Sequence, residues 1–192
     1  MAKLKILFCG DPVLRKKAQP IKKIDDEVRQ LLADMAQTMI EAPGVGLAAP
    51  QVGAPVRAIV VRTEEDGPLY QLINPRVVNC KGVDEGTEGC LSLPTLQGIV
   101  VRPAEVTVEA LTPDREEICI QADGFLARAL QHEIDHLDGV LFIDRAEEDT
   151  LGWMVPDETE EGGYRIDPTT LKEVMQAFER LSKSRKKQES ES

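Results

Sequence analysis

Histidine is almost absent from this 192-residue chain: it has two, His132 and His136. Long apolar runs are missing as well. None approaches the ~20 residues that a membrane-spanning helix needs, so no membrane partner is expected. The stretch from Met1 to Cys9 lacks a long hydrophobic segment and a small-residue cleavage site. No signal peptide is read there, and the expected location is cytoplasmic. Positive charge is in deficit, with 23 Lys and Arg against 34 Asp and Glu and a net charge of −11. That argues against broad binding to DNA or any nucleic-acid backbone, which needs clustered cations. One basic cluster does occur, at Lys183, Arg185, Lys186 and Lys187. With no secretion signal, the four cysteines Cys9, Cys80, Cys90 and Cys119 are expected as free thiols, one of them available for metal binding or catalysis. No internal repeat is present.

Apolar residues at 42% and charged residues at 30% fit a soluble globular chain. The length suits a single domain over 1–192. Residues Asp25 to Glu41 have a helical apolar period at Val28, Leu31, Leu32, Met35 and Met39, with Asp25 as cap and Pro43-Gly44 as stop. A Gly-rich loop follows, Gly44 to Gly53. Strands are expected at Val56–Arg62, Leu69–Ile73, Val77–Gly82, Gly98–Val101, Glu105–Leu111 and Glu117–Gln121. Cys9 is placed in an apolar N-terminal strand. A second helix is expected over Gly124–Asp138, with Gly139 as its stop. Residues 147–167 form an acidic, Gly-containing excursion, read as a loop from Thr150 to Asp167. A third helix spans 168–186, with Pro168 in its first turn and fraying beyond Lys187. The pattern predicts an α+β fold: mostly antiparallel sheets around a central helix, with helices toward each end of the chain.

Both histidines lie in Gln131-His132-Glu133-Ile134-Asp135-His136, four residues apart on the second helix. They project from one face a turn apart, as two imidazoles meeting one metal must. Glu133 points about 100° round the helix and can reach a water on the metal as a general base. Two polar residues on a solvated helix face would fit the spacing by chance, but this helix is rather apolar. A catalytic site of this kind needs a third protein ligand. No third His exists, and Phe142 stands where one known pattern puts it, so the ligand is Cys, Asp or Glu. Glu147, Glu148 or Glu173 would give a peptidase-like site; a Cys would give a His-His-Cys site. Cys90, after the Gly-rich bend in Glu88-Gly89-Cys90-Leu91-Ser92, is the best-placed thiol. Cys9, and Cys119 between Ile118 and Ile120, read as core cysteines. A structural or redox-sensing metal site is the non-enzymatic alternative.

Gly44-Val45-Gly46-Leu47-Ala48-Ala49 matches a loose dinucleotide-binding pattern, but a helix precedes it and Pro50 follows, so that reading fails. A helix stop and tight turn account for Gly44 and Gly46, though not for Gln51. A Gln after a rigid Ala-Ala-Pro can aim its amide N–H at a developing oxyanion.

Three segments stand in order: Gly44 to Gln51, Glu88 to Ser92, and Gln131 to Gly139. Together with Asp11-Pro12-Val13-Leu14-Arg15, they closely resemble the peptide deformylases, hydrolases that remove the N-formyl group from new bacterial proteins. The likeness covers roughly Lys5 to Arg145. It implies that Cys90, His132 and His136 bind one divalent metal ion, with Fe(II) favoured and Zn(II) or another ion as alternatives. It implies Glu133 as general base and then acid, and Gln51 with the Leu91 backbone N–H as oxyanion donors. An N-formylmethionyl peptide would pair like a strand near Gly46 and Gly89. Arg128, one turn before His132, departs from the apolar pocket expected there; its stem would line the pocket while its charge reaches solvent. Trp153 is expected as a packing residue. The substrate type and the basic cluster raise a ribosome contact as a further hypothesis; equally, the cluster is a solvated helix end that complements the helix dipole.

Overall fold

Helix α1 (Asp26–Glu41) forms where the apolar period places it. Asp25 caps it by accepting from Val28 N at 3.3 Å, and its apolar stripe buries Leu32, Met35 and Met39. The computed structural model describes residues 2–160 and 162–190, with side chains described as far as residue 181. Beyond α1 the chain builds two antiparallel sheets. The first has the order β1 (Gly46–Ala48), β2 (Ala58–Val61), β3 (Tyr70–Lys81), β6 (Glu105–Leu111), β7 (Glu117–Asp123). The second has the order β4 (Asp84–Cys90), β5 (Leu93–Arg102), β8 (Gly152–Pro156), β9 (Tyr164–Pro168). β1 and β4 each stand at an edge of their sheet.

Between the sheets runs α2 (Gly124–Leu137). It stops at Gly139, whose φ of 76° suits glycine; a Cβ there would also lie 2.8 Å from the Arg15 backbone. Nearly all of α2 is buried. Ala127, Leu130, Ile134 and Leu137 pack into one core with Ile59, Leu72, Val108 and Ile120 from the first sheet. Such a helix is a rigid mount for polar groups, since most of its side chains from Ala127 onward are held by packing. The α+β class with antiparallel sheets around this helix is the one expected from sequence. Among the described residues, no helix is long and apolar enough to cross a membrane.

Several local expectations change. The two strands anticipated over Leu69–Ile73 and Val77–Gly82 are one long strand, β3, with irregular register against β6 between Ile73 and Arg76 and between Val77 and Asn79. Asn74 sits there with φ of 52°; that local irregularity reads from sequence as a break. The excursion read as a loop from Thr150 to Asp167 is largely a hairpin, in which β8 pairs with both β5 and β9. Its acidic and glycine residues concentrate in the turn that joins the two strands. Pro168 ends β9 and does not open the last helix. α3 (Leu171–Ser190) starts instead from a capping box: Thr170 Oγ1 accepts from Glu173 N at 3.3 Å, and the Glu173 carboxylate accepts from Thr170 N at 3.0 Å. α3 runs past the anticipated end near residue 186. The side chains of Lys183, Arg185, Lys186 and Lys187 lie outside the described residues. Residues 2–8 form no regular strand; Cys9 is buried beside them, held by Cys9 N donating to Ser92 O at 2.9 Å. Cys119 is exposed on β7 rather than in the core, because it faces away from α2 while Ile120 faces it.

Candidate metal centre

α2 presents His132 and His136 with ring centroids 5.0 Å apart and planes at 74°. Cys90 reaches them from the last position of β4. The register with β5 shifts between Gly89 and Cys90, and this irregularity turns the thiol inward from the sheet edge. Cys90 Sγ lies 3.2 Å from His136 Nε2, and one donor atom from each of Cys90, His132 and His136 falls within 4.8 Å of the others. Ligands about 2.0–2.3 Å from a tetrahedral ion stand about 3.5 Å from each other. The sulfur–nitrogen spacing fits such an ion, and a thiolate with two imidazoles suits Zn(II) or Fe(II). Glu147, Glu148 and Glu173 do not join this group: Glu147 and Glu148 begin a short 3₁₀ turn, and Glu173 is spent on the α3 cap.

What orients the imidazoles was not visible in the motif. His132 Nδ1 donates to Glu88 Oε2 at 2.8 Å, which leaves Nε2 to face the cluster. Glu88 is itself clamped. Arg102 donates to it through Nε at 2.6 Å and Nη2 at 2.9 Å, and Arg128 Nη1 adds a bond at 2.8 Å. Arg102 Nη1 also reaches Asp135 Oδ2 at 2.8 Å, and Arg145 grips Asp135 through two further bonds of 2.6 and 2.7 Å. Asp135, an unassigned residue of the sequence motif, thus ties the helix to β5. Glu88, Arg102, Asp135 and Arg145 were missed from sequence. The available signal was only that Glu88 and Asp135 are acidic residues inside motifs otherwise rich in metal ligands.

Arg128 overturns its own expectation. Its guanidinium does not reach solvent but is 6% exposed, donating to Gly86 O, Val100 O, Asp84 O and the carboxylates of Asp84 and Glu88. Five acceptors converge on it, so the charge is satisfied where it is buried.

Gln51 is fixed in the short 3₁₀ turn after β1. Its Oε1 accepts from Ala48 N at 2.7 Å, which aims Nε2 at Ser92 Oγ (3.2 Å) and Cys90 Sγ (3.4 Å). Glu133 lies against Gly46, where an added Cβ would stand 2.3 Å from Glu133 Oε1. Gly46 is therefore required by close approach, not by its backbone angles. Glu133 Oε2 and His136 Nδ1 are buried with no hydrogen-bond partner among the described residues, and the unpartnered carboxylate oxygen beside the cavity is a cost that a bound water or substrate group would relieve. Burial is the main force that raises the Glu133 pKa, to about 7; His132 opposes it and Glu88 adds to it. Burial also drives the His136 pKa well below its ordinary value, which favours the neutral, ligating ring. For His132 burial acts the same way, but hydrogen bonds with Cys90 and Glu88 outweigh it and raise the pKa. At Glu88 burial is outweighed by Arg102 and His132, which hold the carboxyl at about 2.

All eight residues singled out from sequence border one place. Gly46, Gln51, Gly89, Cys90, Leu91, His132 and Glu133 line a cavity of about 600 Å³, and His136 closes the cluster beneath it. The cavity opens between the free edges of β1 and β4.

An α+β chain with a buried His-Glu-x-x-His helix, closed by a thiol from a second sheet, is a metallohydrolase by fold and site. The match to the polypeptide deformylase family model spans residues 3–151, and the chain belongs to that family. It is 58% identical over 149 residues to the peptide deformylase of Natranaerobius thermophilus, covering 77% of this chain and 95% of that one. Among solved structures, the peptide deformylase of Thermotoga maritima superposes with a TM-score of 0.74 at 37% identity, over 77% of this chain and 99% of that one. The Synechococcus elongatus enzyme, solved in complex with actinonin, gives 0.73 at 44% identity, over 75% and 80% of the two chains. The activity of this family is the metal-dependent hydrolytic removal of the N-formyl group from new polypeptides, and this chain is an enzyme of that kind.

Proposed function

We propose that Cys90, His132 and His136 hold the metal, and that Glu133, Gln51 and Leu91 carry out the hydrolysis of N-formylmethionyl peptides around it. The observation that carries this reading is the gathering of these three donors, with Glu133 and Gln51 beside them, in one cavity between two open sheet edges. A divalent ion in such a site, with Fe(II) favoured, lowers the pKa of a water and polarises a carbonyl oxygen. Glu133 takes the proton from the attacking water; the raised pKa of its carboxyl suits both that step and the return of the proton to the leaving amine. Gln51 Nε2, locked by the Ala48 N–H, and the Leu91 backbone N–H donate to the oxyanion that develops on the formyl carbon. The peptide backbone pairs along Gly46 on one side and Gly89 on the other, adding a strand between two edges. The products are formate and a free N-terminus.

The test is formate release from formyl-Met peptides by wild type and Glu133→Ala, with metal content measured on both. Loss of turnover with metal retained is expected. Wild-type turnover in the variant would exclude Glu133 as the proton carrier. Activity on acetyl-Met peptides equal to that on formyl-Met peptides would sink a pocket that selects formyl by size. The substrate class supports a cytoplasmic location and a ribosome contact through Lys183 to Lys187. Removal of residues 183–192 should then weaken ribosome binding and spare turnover of free peptides; unchanged binding would refute the contact.

A further inference from the structure

The match to the family ends at residue 151, yet the cavity does not end there. Met154, on β8, is part of its lining, beside Pro94, Thr95 and Leu96 of β5. β8 is laid against β5 with Leu96 opposite Trp153, so the β8–β9 hairpin extends the sheet whose other edge carries Gly89 and Cys90. Alternation along β8 then divides its side chains. Trp153 turns toward the core and packs on Phe178 of α3, with ring centroids 5.9 Å apart. Met154 turns to the opposite face. Its partner across the hairpin is Ile166, and the next pair on that face is Pro156 with Tyr164.

That face is therefore apolar from the cavity wall outward. Ile166 remains 37% exposed and Tyr164 46% exposed, on a hairpin whose other face carries Trp153 toward the core and the charged Arg165–Asp167 pair. A contiguous apolar strip that begins inside a binding cavity and continues onto solvent-exposed strands is a binding surface in form. Neighbouring strands lie about 4.8 Å apart, and an extended peptide advances about 3.3 Å per residue, so the strip spans the side chains of a few residues.

We infer that the β8–β9 hairpin forms an outer subsite of the deformylase cavity, in which Met154 and Ile166 receive apolar side chains immediately downstream of the formyl-methionine. The occupant is the substrate itself, because the strip is continuous with the cavity through Met154. The inference rests on the deformylase reading of that cavity. Met154 is a specificity-determining residue here: it is placed to select the peptide and has no contact with the reacting groups among those described.

The experiment compares kcat and KM for formyl-Met-Ala-Ser, formyl-Met-Leu-Leu and formyl-Met amide in wild type, Met154→Gln, Met154→Leu and Ile166→Ser. Wild type should favour the Leu-Leu peptide through KM. Met154→Gln should shrink that preference about tenfold, the scale set by lost apolar contacts in a binding pocket. Met154→Leu should restore most of it. Ile166→Ser, at an exposed position, guards against misfolding of the Met154 variants and should shrink the preference too. An unchanged Leu-Leu over Ala-Ser ratio in folded Met154→Gln and Ile166→Ser would overturn the subsite. So would a wild-type dimer that Ile166→Ser converts to monomer with the ratio intact, since the strip would then face a second copy. No formate from any substrate with wild type is a different result; it would overturn the deformylase reading and the subsite with it.

Discussion

Gly46→Ala isolates the geometry of the general base. The added Cβ would stand 2.3 Å from Glu133 Oε1 and 2.7 Å from both Cδ and Cγ, so the carboxylate must retreat by about 1.1 Å to regain a 3.4 Å contact. Glu133 is 4% exposed and sits in the stretch of α2 that is buried from Ala127 to Ile134, so β1 or the side chain must give way rather than α2. A misplacement of about 1 Å in a reacting group costs about 10²-fold in rate, or about 2.7 kcal/mol of transition-state stabilisation. The three atoms nearest the added Cβ all belong to Glu133, so metal content should stay at the wild-type level. The assay is formate release under saturating and limiting formyl-Met-Ala-Ser, with metal analysis and a thermal melt on the same sample. The drop should appear in kcat, with KM also affected to the extent that the peptide pairs along Gly46. Wild-type kcat in a folded, metal-replete Gly46→Ala protein would refute the close approach of Gly46 to Glu133 as a constraint on catalysis. Loss of metal in step with activity would refute the separation of base from ligands.

Further outcomes follow from the contacts around the metal centre. Cys90→Ser should cut metal retention on dialysis against a chelator far more than Glu148→Gln does; equal retention would point to a carboxylate ligand instead. Glu88→Gln should weaken metal binding by about 10–100-fold, because it loosens the partner that orients His132. It should also destabilise the fold by about 3–5 kcal/mol by leaving Arg102 and Arg128 without a full countercharge, which for a chain of this size lowers Tm by about 10 °C. The Glu88 carboxyl, held at about 2, is depressed below its unfolded value. Its contribution, about 3 kcal/mol, is therefore complete above about pH 4.5 and lost as pH falls toward 2. Chelator-treated wild type and Glu88→Gln should differ in urea stability by that amount at pH 6 and converge at low pH. A gap constant between pH 6 and pH 3 would sink the assignment.

The metal helix was legible because the chemistry is local: four residues of spacing place two imidazoles on one face wherever a helix forms. α1 was legible for the same reason, with cap, stripe and stop all within one segment. The short strand β1 was not, since Gly46-Leu47-Ala48 has little intrinsic strand character and becomes a strand only by pairing with β2. β4, Asp84 to Cys90, is rich in acid and glycine, and local propensity argues against it; β5 along its length overrides that preference. The β8–β9 hairpin was hidden by the composition of its turn. In each case the missing information is a partner distant in sequence, and no period within the segment encodes it.

The same limit explains Arg128 and Glu88. From sequence, a long basic side chain beside an apolar pocket snorkels to water, and nothing near a Glu before a Gly-Cys bend names its partner. The fold instead brings Asp84, Gly86, Glu88 and Val100 around one guanidinium, and Arg102 and His132 around one carboxylate. Such buried charges cost desolvation and are a weak source of net stability compared with apolar packing of the same volume. Their value lies in direction. A carboxylate free to rotate would let the His132 ring turn and lose the donor geometry, whereas three bonds from two arginines fix both Glu88 oxygens, and with them His132 Nε2. Removing the charge on both sides of the main pair, Glu88→Leu with Arg102→Met, still leaves Arg128 one acceptor short, but it should cost less thermal stability than Glu88→Gln alone while metal affinity falls at least as far. That pairing of outcomes separates an orienting role from a stabilising one, and a variant that lost stability and kept its metal would reverse the conclusion.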